Sequence, residues 1–183
     1  MVTSTASVRV WDMVVRLTHW SVATLVLWNL FEDSGGPLHR AAGYVVTGLV
    51  LFRILWGFIG TEPARFSTWV PTPSRVITDL AEIIARRPTR HLSHTPLGAL
   101  MMLTMWTLIL ALAVTGWMSR LDAFWGEDWP KDVHGLLADI LMVLIAVHVI
   151  AAIAMGKVHK ENLIVAMLTG RKRRDEDPED PAL

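Results

Sequence analysis

The stretch HGLLADILMVLIAVH, residues 134–148, is among the most apolar in the chain, yet it opens on His134 and closes on His148. Fourteen residues at about 100° each make roughly 1400°, only about 40° short of four turns, so on a helix both imidazoles leave one face about 21 Å apart. One acid, Asp139, interrupts the apolar residues between them, and the run stays apolar to Gly156. A segment of about 20 such residues is long enough to cross a hydrocarbon core.

Three other segments have the same character. The spans run over about 11–31, 39–60, 96–119 and 132–156, in a chain of 183 residues that is 52% hydrophobic. The connectors FEDSGGPL (31–38) and RLDAFWGEDWPK (120–131) carry Gly, Pro and Asp, the residues of turns, so each pair of spans reads as an antiparallel hairpin. Trp28, Trp117, Trp125 and Trp129 fall near span ends, where amphipathic rings favour the headgroup layer. The expected fold is therefore an all-α integral membrane four-helix bundle. No cleavable signal peptide is expected, because the polar MVTSTASVRVWD leads straight into a full-length apolar segment.

Charge sets the orientation. Lys and Arg gather in the N-terminal flank (Arg9, Arg16), the middle loop (Arg65, Arg75, Arg86, Arg87, Arg90) and the C-terminal region (Lys157, Lys160 and residues 171–174). The two short connectors and their edges hold only Arg40, Arg120 and Lys131. By the positive-inside rule both termini are cytoplasmic. Within the middle loop, PSRVITDLAEIIARRP (73–88) sets Val76, Leu80, Ile83 and Ile84 on one side of a helix and Arg75, Asp79, Glu82 and Arg86 on the other. That pattern predicts an amphipathic helix lying on the inner membrane surface. Residues 1–174 form the membrane domain, and 175–183 read as an acidic disordered tail.

Histidines recur at matching depths. His39 opens the second span, level with His134 at the outer end of the fourth. His19 is eight residues inside Trp11, and His148 is eight residues from Gly156, so both lie about 12 Å above the inner end of their spans. The topology thus pairs His19 with His148 and His39 with His134. Zinc and copper commonly take three or four protein ligands, more than such a pair supplies. A haem iron lacks only two axial ligands, and filling both favours electron transfer over oxygen chemistry. The chain has no cysteine, which excludes disulfides, iron–sulfur clusters and covalent CxxCH attachment, so the haems are held noncovalently, as b-type. Intramembrane histidines also serve ion or proton transport, and a haem-free transporter is the alternative. His91, His94 and His159 read as solvated or lipid-facing.

In order along the chain, RLTHW (16–20), HRAAGY (39–44), FRILWGF (52–58), SHTPLGAL (93–100), TGW (115–117), VHGLLAD (133–139), VHVIAA (147–152) and GKVHKENLIVAMLTGRKR (156–173) resemble the bacterial cytochrome b561 family. These are four-helix dihaem cytochromes b of the inner membrane. The resemblance covers roughly residues 10–174. It implies two haem b groups with His19, His39, His134 and His148 as axial ligands. It also implies electron exchange between the quinone pool, ubiquinone included, and a second redox partner, often a periplasmic protein. Some relatives instead oxidise superoxide and pass electrons to ubiquinone. Those carry a histidine about two turns beyond the inner ligand of the fourth helix, where this chain has Met155 and Gly156. Expected partners are membrane lipid and quinone, with no nucleic acid.

Arg16, one turn from His19, Arg53 and Arg40 each have two roles open: a charge-assisted bond to a haem propionate, or snorkelling to lipid phosphate. Lys157, His159 and Lys160 border a candidate inner quinone site. Asp139 is the only carboxylate away from the ends of a span and projects away from the two histidines; a bond to a neighbouring helix is its plainest role. A reduced-minus-oxidised absorption spectrum separates the readings: a b-type α-band for the cytochrome, none for a haem-free transporter.

Overall fold

A computed structural model describes residues 7–32, 34–85, 89 and 95–173. The elements are β1 (Ser7–Arg9), α1 (Met13–Phe31), α2 (Pro37–Ile59), α3 (Phe66–Trp69), α4 (Pro73–Ile84), α5 (Pro96–Met118), α6 (Trp129–Val158), α7 (Leu163–Thr169) and β2 (Arg171–Arg173). The four long helices start where local chemistry satisfies their free N–H groups. Asp12 accepts from the Val15 amide at 2.7 Å at the head of α1, and proline stands in the first turn of α2, α5 and α6. On α6, Asp132 in the first turn and Lys157 in the last both match the helix dipole.

The long helices form two hairpins, α1 on α2 and α5 on α6, joined where α2 packs on α5. Their shared core is Val26, Val46, Val50, Ile109 and Leu141, to which every long helix contributes. A second buried cluster is Val10, Trp11, Val15 and Ala64, and many other large apolar side chains face outward, among them Leu17, Phe58, Val143 and Ile150. Among the described residues, three helices are long and apolar enough to cross a membrane: α2, α5 and α6. The sequence reading counts α1 as a fourth. It has the length, 19 residues, but Arg16, Thr18, His19, Ser21, Thr24 and Asn29 lower its hydropathy. Trp28, Trp117, Trp125 and Trp129 are all exposed, as side chains at a membrane boundary must be.

Three expectations change. First, the chain is not wholly α. β1 pairs antiparallel with β2 in the register Ser7↔Arg173, Val8↔Lys172, Arg9↔Arg171, so the two ends of the membrane domain are clasped at one end of the bundle. Lys172, expected in a free basic run, is instead buried, with its ammonium 5.9 Å from the Trp11 ring centre. Second, α4 forms where the apolar period predicts it, but Asp79, assigned to its solvent side, is 4% exposed. Its carboxylate accepts from the Leu97 amide at 3.0 Å, beside Thr95, which accepts from Gly98, so together they satisfy two free amides in the first turn of α5. The outward face of α4 is Ile77, Leu80 and Ile84, an apolar stripe suited to an interface. Third, His159 is not simply solvated: it caps α6, half-buried, with Nε2 enclosed and unpartnered. Arg86, Arg87, Arg90, His91, His94 and residues 174–183 lie outside the described residues.

The clasp depends on Gly170. It ends α7 at φ +78°, and its carbonyl accepts from Val10 at 2.9 Å and Trp11 at 3.2 Å. A Cβ there would stand 2.5 Å from the Trp11 carbonyl oxygen. Left-handed backbone costs a residue with a side chain about 1–2 kcal/mol, and the clash adds to it. Gly170→Ala is therefore expected to lower the unfolding temperature in detergent while leaving far-ultraviolet helical content unchanged.

Candidate functional site: two histidine pairs

The structure brings the four histidines together in the two pairs given by counting depth. One pair lies near the clasp: His19 of α1 faces His148 of α6, ring centres 6.5 Å apart with planes at 50°. The other lies at the turn end, remote from the clasp: His39 of α2 faces His134 of α6, ring centres 6.1 Å apart at 61°. A single metal ion bridging two imidazoles through bonds of roughly 2 Å sets the ring centres about 6 Å apart. Both pairs therefore have the separation that two axial ligands of one iron require. Among the described residues no three His, Cys, Asp or Glu side chains gather into a metal site. A two-ligand centre fits these residues, and that is what a haem iron needs.

The turn-end pair is held in one tautomer. His39 Nδ1 lies 2.6 Å from the Glu32 carbonyl, and His134 Nδ1 lies 3.0 Å from the Leu112 carbonyl. A carbonyl oxygen only accepts, so in both rings Nδ1 is the donor and the Nε2 lone pair is left free to ligate. Thr115 reinforces the arrangement. Its hydroxyl lies 2.9 Å from the Ala111 carbonyl, to which it donates, and its oxygen is 3.1 Å from His134 Nδ1. Such outer bonds fix a ligand's orientation and raise its basicity. Asn29 adds a bond to the His39 backbone carbonyl at 3.1 Å, tying α1 to the start of α2. The clasp-end pair is built differently. His19 Nδ1 is enclosed without a partner, Trp20 meets the His19 ring edge-on at 5.1 Å, and His148 is exposed.

The three arginines go to different places. Arg16 donates through Nη2 to the Leu168 carbonyl near the end of α7, while its Nε is enclosed and unpartnered. Arg53 is 3% exposed, donates to the Ala64 carbonyl at 3.3 Å and lies 5.5 Å from the Trp106 ring centre, with Nη1 unpartnered. Arg40, next to His39, donates to the Gly35 carbonyl at 3.0 Å. Arg16 and Arg53 are thus engaged with backbone at the clasp end, and Arg40 stays beside the turn-end pair. The sequence reading missed Glu32, Leu112, Thr115 and Gly116. Thr115 and Gly116 lie in the TGW motif, but no local pattern shows which backbone carbonyl meets a ring on another helix.

The chain belongs to the prokaryotic cytochrome b561 family, whose family model matches residues 10–170. Among similar proteins is one named "Probable Ni/Fe-hydrogenase B-type cytochrome subunit" from Rhizobium leguminosarum bv. viciae, 27% identical over 91% of this chain and 89% of the relative. Another of that name, from Bradyrhizobium diazoefficiens, is 27% identical over 91% and 86%. A protein named "Cytochrome b562" from Cereibacter sphaeroides is 28% identical over 84% and 91%. No solved structure matches. Family and relatives support membrane electron transfer through b-type haem in a multi-pass inner-membrane protein, and select it over the haem-free transport that the histidines alone left open.

Gly116 gives the turn-end pair a specific test. A Cβ added there would stand 3.1 Å from His134 Cε1, a tight contact to which the ring must yield slightly. Gly116→Ala is expected to reduce or shift the b-type absorbance in the reduced-minus-oxidised spectrum.

Proposed function

We propose that the chain carries electrons across the inner membrane through two b-type haems, between the quinone pool and a second redox partner. The observation that carries this reading is the pair of facing histidine couples, 6.5 Å and 6.1 Å between ring centres, one toward each end of the bundle. His19 and His148 would hold the clasp-end haem, and His39 and His134 the turn-end haem. Bound haem b would supply a one-electron redox couple there. Thr115 and the carbonyls of Glu32 and Leu112 hold the turn-end rings ready. Between the pairs lies the apolar core: Leu141 is seven residues from both His134 and His148, Val26 seven from His19 and Val46 seven from His39. This layer keeps water out of the region between the two centres.

α1 is the fourth crossing, since it spans beside α2 and supplies one of the four ligands. The clasp end is cytoplasmic because the basic residues gather there, and the turn end faces the periplasm. Lys157, His159 and Lys160 border the quinone site at the clasp end; the enclosed, unpartnered Nε2 of His159 supports that placement. Arg40, beside His39, is the arginine placed to neutralise a propionate at the turn end. The relatives' names make a Ni/Fe-hydrogenase the favoured class of second partner. Superoxide oxidation has less support, because Met155 stands where superoxide-oxidising relatives carry a histidine.

Substitution of the ligands tests the pairing. His19→Ala and His148→Ala are expected to deplete one and the same spectral component, about half of the b-type absorbance, and His39→Ala and His134→Ala the other. Survival of the second component in each variant shows that the bundle has folded. Depletion of one component by both His19→Ala and His134→Ala would overturn the assignment. Stopped-flow mixing of the reduced protein with ubiquinone then tests the quinone end, with rapid reoxidation expected.

A further inference from the structure

Arg53 carries a charge that the bundle leaves unanswered. It is 3% exposed, and a guanidinium stays protonated at any working pH. Nη2 donates to the Ala64 carbonyl at 3.3 Å and the Trp106 ring centre lies 5.5 Å away, but Nη1 is enclosed with no partner. Among the described residues no carboxylate forms an ion pair with it. Asp12 acts on it only from beyond that range, its oxygens held by the Val15 amide, the Trp56 indole and the Thr61 hydroxyl. A buried charge is costly unless an opposite charge joins it. A neutral acceptor would complete the hydrogen bond and leave the charge, whereas a carboxylate answers both. Lipid phosphate is not the anion, because a side chain that snorkels keeps its charged head in water and this one does not.

Position says which carboxylate fits. Arg53 follows His39 by 14 residues, the interval that separates His134 from His148. Both helices run from the turn end to the clasp end. Arg53 therefore leaves α2 at the level of His148 and within about 40° of the face that carries His39. Where α6 carries its second histidine, α2 carries a cation. A haem bears its propionate carboxylates on one edge, and this cation stands at the depth of the clasp-end pair. Arg16, the other arginine near that pair, is only half-buried.

We propose that Arg53 is the buried counter-charge to a carboxylate of the clasp-end haem, donating to it through Nη1 while Nη2 keeps the Ala64 carbonyl. The inference rests on the dihaem reading above, with His19 and His148 holding that haem. The guanidinium would fix the polar edge of the haem, and its charge favours the ferrous over the ferric state.

Redox titration of the full-length, haem-loaded protein tests this. Arg53→Gln keeps a donor for the Ala64 carbonyl and removes the charge. In His39→Ala, where the clasp-end component remains, adding Arg53→Gln is expected to cut the ferrous-to-ferric ratio at a fixed solution potential about tenfold, a fall of about 59 mV in midpoint. In His19→Ala, where the turn-end component remains, the same substitution should leave the midpoint in place. Arg53→Lys keeps the charge and should stay close to the parent in both backgrounds. Should Arg53→Gln cost the clasp-end haem outright, the otherwise unaltered protein shows it as loss of one component with the other intact, and Arg53→Lys retains both. An unmoved midpoint in His39→Ala, an equal fall in both backgrounds, a fall as large with Arg53→Lys, or loss of both components with Arg53→Gln would each overturn the proposal. Loss of all b-type absorbance in His39→Ala itself would instead overturn the ligand assignment, so the two failures are distinguishable.

Discussion

Two imidazoles on different helices can face each other only if the helices are held at a fixed distance and register, and α6 meets that condition twice. Its 14-residue interval between His134 and His148 keeps both on nearly the same face. The same interval fixes the middle of the bundle. Leu141 falls halfway and is almost fully buried, packed with Val26 and Val46, each seven residues along from a histidine of its own helix. A histidine seven residues from the apolar layer thus recurs on three helices, α6 carrying one on each side of it, and α5 completes the layer with Ile109. A shift of one residue in the register of α6 would turn its ligands by about 100° and break both pairs together.

The two pairs rest on different supports. At the turn end, carbonyls of the α1 cap and of α5 hold the rings through Nδ1, and Gly116 allows the approach of His134. At the clasp end, the surroundings of His19 are aromatic and its Nδ1 is left unpartnered. Hydrogen bonding to a ligand and the polarity around it are the means by which a protein tunes a haem. This asymmetry makes the surroundings of the two histidine pairs chemically distinct although the paired residues are the same. At the clasp end the chain invests in backbone closure instead: Asp12 links the head of α1 to Trp56 at 3.0 Å and Thr61 at 2.6 Å, while Arg16 and Gly170 tie the end of α7 to the N-terminal segment.

Much of this was legible in the sequence, because the decisive signals are local. An apolar run of fixed length, a proline or aspartate at its head, and the spacing of histidines along it depend only on helix geometry. The helix at 73–84 was legible for the same reason. What stayed hidden depends on chains meeting from afar. Asp79 reads as solvated on its own helix but is buried against the start of α5, and Lys172 reads as part of a basic run but pairs with Trp11. The span count shows the opposite difficulty, since Arg16, His19 and the other polar residues of α1 weaken its apolar signal.

The sequence by itself therefore determined the long helices, the depths of the four histidines and the direction in which Asp139 points. Each follows from a period of 3.6 residues and a rise of about 1.5 Å acting within one segment. Only the tertiary structure decided which atoms hold those histidines and where the arginines go. His134 meets a carbonyl 22 residues away, and Arg16 one that is 152 residues away. A backbone carbonyl is the same group at every residue, so no side-chain pattern can mark the one that packing brings within reach.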